Sequence, residues 1–179
     1  MDIPGFVQVI QDSAPAEWMR TSVKAMPIVE AIHVLAAATV FGTIFIVDLR
    51  LLGFPNTRRS FVRIADELLW LTWSAFVVAV IAGLLMFAAN AKTYWVNTPF
   101  QFKMLALLGA GLNMAIFQGI TYRSVARWDQ GVRTPLAAKA AGALSILIWV
   151  TVIFLARWIG FTKGYNFDVP ENVELDFKF

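Results

Sequence analysis

Of the 179 residues, 59% are hydrophobic and only 15% are charged, and the mean hydropathy is +0.66, which excludes an ordinary soluble domain. There is no cysteine, which excludes disulfides, thiolate metal sites and redox thiols. The formal charge of +3 matters less than where the charges lie.

The chain opens Met-Asp-Ile-Pro-Gly, with no basic stretch and no long apolar core before Pro27, so no secretory signal is expected there. Residues 1–26 read as an N-terminal interfacial segment. Within it, Ser13 to Met26 has the marks of a short helix on the outer membrane face: Ser13 as N-cap, Pro15 in the first turn, and Trp18, Met19, Val23 and Met26 at helical spacing. Four stretches then satisfy the roughly 20 apolar residues that a bilayer-crossing helix needs: 27–49, 68–90, 99–121 and 137–160. They predict an all-α integral membrane protein, with 27–162 as one four-transmembrane-helix bundle and 163–179 as a short outer tail. Pro55 and Asn56 mark a turn after the first span, and Asn97-Thr98-Pro99 marks the start of the third. The tail from Asn172 alternates polar and apolar residues, a strand signal that would need a neighbouring subunit or partner to pack on. A frayed tail is the plainer reading.

Basic residues set the expected orientation. Arg50, Arg58, Arg59 and Arg63 lie between spans one and two, and Arg123, Arg127, Arg133 and Lys139 between spans three and four. Both termini are therefore expected outside the bacterial inner membrane, with the Arg-rich loops in the cytoplasm. That bias accounts for the loops without nucleic acid. Trp70, Trp73, Tyr94, Trp95, Tyr122, Trp128 and Trp158 fall near the span boundaries as an aromatic belt, whereas Trp149 is mid-span. Ala138, Gly142 and Ser145 form a small-residue face on span four, with Gly109 and Gly111 in span three, patterns that permit close helix packing and a homo-oligomer.

Ionisable residues within the spans carry the functional signal. His33, the single histidine, lies about 9 Å below the start of span one at 1.5 Å per residue, and Lys103 about 6 Å below the start of span three. Arg157 sits three residues before the end of span four, Asn90 ends span two, and Glu30 lies one turn above His33. The five groups come from four helices and share one layer. Glu30 and Asp48 share a helical phase with His33 about 60° away, which predicts an inward polar seam; Lys103, Asn113 and Gln118 predict a second one. Asp48 and Arg50 read most simply as a boundary pair ending span one.

One reading of this layer is haem b. His33 supplies an axial donor, a four-helix bundle encloses a porphyrin, and Lys103 and Arg157 stand at the level of its propionates. Phe41, Phe45, Met86, Phe87, Met104, Met114 and Phe117 could line it, or serve as ordinary packing. With one histidine, any haem is five-coordinate or takes Met, Lys, water or a residue from another subunit. The plainer readings are a structural imidazole bonded to Glu30 or a neighbouring helix, and snorkelling cations. A proton or small-ion path through Glu30, His33 and Lys103 is a third. The methionines form no soft-metal cluster, which argues against copper transport.

The runs Pro27-Ile-Val-Glu30-Ala-Ile-His33, Val47-Asp48-Leu-Arg50-Leu-Leu-Gly53 and Asn97-Thr-Pro99-Phe-Gln-Phe-Lys103 resemble an uncharacterised family of bacterial four-helix membrane proteins. More distantly, a histidine in span one with a lysine at the start of span three resembles the HemJ-type protoporphyrinogen oxidases, and the whole is a little similar to CopD-type membrane domains. The HemJ resemblance implies a haem-binding oxidoreductase, with His33 as axial ligand and Lys103 as a second functional residue. The expectation is a haem b protein for electron transfer or oxidation of a small apolar substrate, with a redox partner or quinone, and with Lys103, Arg157 and Glu30 holding propionates or relaying protons. The alternative is a small transporter or an accessory subunit of a membrane complex.

Overall fold

In lipid the backbone must satisfy its own hydrogen bonds, and a long apolar helix does so within one segment. Each of the four apolar runs folds this way, and each helix is long and apolar enough to cross a membrane. The computed structural model describes residues 3–54, 60–129 and 134–162. They form α1 (Gly5–Gln11), α2 (Ala14–Thr21), α3 (Ala25–Leu52), α4 (Phe61–Ala89), α5 (Ala91–Trp95), α6 (Thr98–Ile116), α7 (Val125–Trp128) and α8 (Leu136–Thr162). No strand occurs among the described residues. The strand expected in the tail and the turn at Pro55 and Asn56 lie outside the described residues.

Helix ends follow local chemistry more closely than hydropathy. α3 runs to Leu52, where Gly53 at φ 101° receives the chain in the left-handed region. The Gly53 amide bonds the Arg50 carbonyl and the Phe54 amide the Leu49 carbonyl, a Schellman closure. α4 starts seven residues before the apolar run does, because its first turn is capped: Ser60 accepts the Arg63 amide at 3.2 Å. Asn97 caps α6 by accepting the Phe100 amide at 3.0 Å. Ser13 precedes α2 as expected, but its hydroxyl donates back to Ile10 instead of capping. α1 occupies a stretch where no helix was expected.

The spans stand in the order α4–α3–α8–α6. α3 packs most extensively on α4, then on α8, and α6 packs on α8. Aromatic bridges join α4 to α6 near both ends. Phe87 stacks on Phe100 with centroids 5.5 Å apart at the end carrying α1, α2 and α5, and Phe61 meets Phe117 at 5.8 Å at the opposite, loop end. Between these bridges α4 and α6 contact one another far less than α3 contacts α4 or α6 contacts α8.

Three expectations change. The Ala138–Gly142–Ser145 face does not await a second subunit, because α3 of the same chain fills it: a Cβ at Gly142 would sit 3.1 Å from the Asp48 carbonyl oxygen and from Leu51 Cβ. Tyr94 and Trp128, expected in the belt, are buried among other rings and do not face outward. Tyr94 joins Phe87 and Phe100, while Tyr122 and Trp128 pack around Phe61. The seam on α3 is also split, with Asp48 buried and Glu30 exposed. Their phase is the same, but α8 closes over Asp48 through its small residues and nothing among the described residues covers Glu30.

Candidate functional site

The His33 ring lies between α3 and α4, half-buried, with Nδ1 2.8 Å from the Ala79 carbonyl oxygen. A carbonyl only accepts, so Nδ1 carries the proton and Nε2 is left with its lone pair. Among the described residues Nε2 has no hydrogen-bond partner. Gly83, one turn beyond Ala79, permits this approach, since a Cβ there would lie 3.1 Å from His33 Cε1. A backbone carbonyl behind one ring nitrogen and a free lone pair on the other is how metal-binding imidazoles are commonly held.

Charge reaches the ring from two sides, from Lys103 on α6 and from Glu30 one turn above. Lys103 is half-buried and makes no hydrogen bond or ion pair among the described residues. An ammonium group in that position costs several kcal/mol unless an anion joins it. Glu30 does not orient His33, because the Ala79 carbonyl does. The Glu30 charge also reaches Tyr94, whose phenol is pushed above its ordinary range first by burial and then by that carboxylate.

Arg157 stands apart: it is exposed, with its guanidinium 5.2 Å from the Phe161 ring centroid. No hydrogen bond or ion pair among the described residues joins it to Glu30, His33 or Lys103. Asn90 ends α4 and begins α5. The proposed lining residues are likewise scattered. Phe41 stacks on Phe45 at 5.5 Å, Met86 packs on the cluster of Met19, Val29, Ala82 and Ala89, Met104 is half-buried, Met114 is exposed, and Phe117 belongs to the loop-end cluster. Asn113 turns inward and donates to the Ala141 carbonyl at 3.1 Å, but Gln118 is exposed. The π turn over Phe117–Thr121 breaks the 3.6-residue phase that had aligned Gln118 with Lys103. No group of three or more His, Cys, Asp or Glu suited to a metal occurs among the described residues.

The loop end holds polar groups that the sequence reading missed. Asp48 and Arg50 do not form a boundary pair: the helix continues past both, and both are buried. The Asp48 carboxyl has Ser145 of α8 as its hydrogen-bonding neighbour, whereas Arg50 interacts electrostatically with Asp129. Asp129, also buried, accepts the Ser60 hydroxyl at 2.5 Å, a short bond from the Phe61 amide, and the Val62 amide at 3.4 Å. One carboxylate thus ties the segment after α7 to the start of α4 and to the end of α3. An acid in an Arg-rich loop was the available signal, but its partners lie about 70 residues away.

No matching relative was found among the curated proteins, and no solved structure matches. A family model does match, over residues 21–162, which takes in all four spans and both polar clusters. The chain belongs to the family of unknown function DUF6644.

Proposed function

We propose that this chain is a haem b-binding protein of the bacterial inner membrane, with its termini outside, His33 as the iron's axial donor and Lys103 as the cation for a propionate. The observation that carries the reading is the fixed imidazole: Nδ1–H is committed to Ala79, and Nε2 has no hydrogen-bond partner among the described residues. Lys103 supports it, since a half-buried ammonium within electrostatic reach of His33 calls for an anionic ligand group. Arg157, exposed at the end of α8, is the weaker propionate partner of the two. Met104 on α6 and Phe41 on α3 remain lining candidates. Bound there, haem supplies one-electron redox chemistry, and the protein sets its ligand, access and charge environment. The resemblance to HemJ-type oxidases makes a porphyrinogen the first apolar substrate to try, with a quinone or another redox partner as electron acceptor.

The test is the absorption spectrum of the detergent-purified protein, oxidised and reduced, beside His33→Ala. The expected result is a Soret band that reduction shifts, that the variant loses, and that added imidazole restores. A wild type that stays colourless after haem is supplied overturns the reading. The cluster of Glu30, His33 and Lys103 would then be examined as a proton path, by ion flux in vesicles.

A further inference from the structure

Asp48 lies fifteen residues, about 22 Å of helix, beyond His33 on α3, and the reading above makes no use of it. It is 6% exposed, and its Oδ2 has no hydrogen-bond partner although the atom is sealed from solvent. The walls are tight. Gly142 presses its backbone to within a Cβ's reach of the Asp48 carbonyl, and Ser145 brings a single hydroxyl to the carboxyl.

A buried carboxyl oxygen of this kind needs something positive, and three candidates arise: a basic side chain, a metal ion or a proton. No basic side chain acts on it among the described residues. On its own helix, Arg50 interacts with Asp129. On α4, Arg63 pairs with Glu67 at 3.0 Å in an exposed i,i+4 contact, and Asp66 is exposed. On α8, Lys139 stands six residues before Ser145 and is half-buried. A metal ion such as Ca²⁺ takes six to eight oxygen ligands, and one carboxyl with one hydroxyl is far short of that set. The proton remains.

We infer that Asp48 is a proton-exchange site in the loop-end half of the membrane, held against α8 by Gly142 and Ser145. The step balances simply: the carboxylate takes up one proton from water to form the carboxylic acid, and gives the same proton back to water. Ser145 is a positioning residue, its hydroxyl acting on the carboxyl from α8. This role is independent of haem at His33.

Infrared difference spectroscopy of the full-length protein in lipid tests it, with the carboxylic acid C=O stretch followed across a pH titration in H₂O and D₂O. The expected result is a band, sensitive to deuterium, that appears and disappears reversibly with pH and is missing from Asp48→Asn. Ser145→Ala, which removes one hydroxyl and leaves the packing in place, should move that band to higher frequency, because a hydrogen bond to the acid is lost. The Ser145→Ala shift identifies the band even if Asp48→Asn fails to fold. A wild type with no such band, a band that no pH change moves, or a band that Ser145→Ala leaves in place overturns the inference.

Discussion

Gly83 and Gly142 have the same clearance and teach opposite lessons about the two ends of this bundle. A Cβ at either position would meet a neighbouring atom at 3.1 Å. At Gly142 that neighbour is the Asp48 backbone carbonyl and the Leu51 Cβ, neither of which can step aside. At Gly83 it is the imidazole of His33, a ring on two rotatable bonds. The loop end is accordingly built for permanence, with Leu51, Phe61, Phe117, Trp128 and Ala138 buried together and Asp129 bonded to three partners. The end near His33 instead holds an imidazole nitrogen and a half-buried Lys103 that both lack a hydrogen bond among the described residues. At the loop end Asp129 is fixed by bonds from Ser60, Phe61 and Val62, whereas at the other end Nε2 of His33 has no hydrogen-bond partner among the described residues.

Removing Asp129 should strike the permanent end hardest. Asp129→Ala strips three hydrogen bonds from a carboxylate and takes a counter-charge from Arg50. The expected loss is about 3 kcal/mol, measured by denaturant unfolding in detergent. Asp129→Asn, which keeps an acceptor for the amides, should lose about 1 kcal/mol. If both variants unfold like the wild type, the loop end is not the anchor. Gly142→Ala comes next, at about 1–3 kcal/mol for a side chain forced between two backbones, with the His33 end unaltered.

The reverse pattern should hold at the other end. Gly83→Ala and His33→Ala are each expected to change stability by no more than about 1 kcal/mol. Both should disturb haem binding, Gly83→Ala by tilting the ring off its carbonyl and His33→Ala by deleting the ligand. A Gly83→Ala protein as unstable as Gly142→Ala, with an unchanged spectrum, would erase the contrast between the two ends.

The sequence announced the spans because a helix in lipid is legible from apolar length alone. It located His33 and Lys103 because an ionisable group inside an apolar run is conspicuous by contrast. It misjudged Asp48 and Arg50 and missed Asp129 because their meaning is tertiary. Asp48 is buried where Gly142 of α8 comes close to α3, and Asp129 caps a helix that begins 68 residues earlier. Helical phase assigned Glu30 and Asp48 one fate, yet phase fixes direction and says nothing of whether another helix stands there. Gly83 was not singled out, since its role depends on a histidine fifty residues away in another helix. The small-residue face was read correctly as a close-packing surface and wrongly as one between subunits, a distinction that no single chain's pattern contains.

The smallest expected effect concerns Tyr94, which sits outside the spans and connects Glu30 to the aromatic bridge. Burial and then the Glu30 charge hold its phenol above the ordinary tyrosine value, which is near 10. A raised folded-state pKa stabilises the fold fully below that ordinary value, and the contribution fades as pH climbs from there through the higher folded value. The protein should therefore lose a little stability in that alkaline window, and Tyr94→Phe should lose less. Glu30→Gln should bring the phenol's ultraviolet titration partway back, but not to the ordinary value, because burial is the larger cause. If Glu30→Gln moves nothing, the carboxylate does not reach the bridge. Its electrostatic hold on His33, exerted from the same exposed position, then loses its independent support.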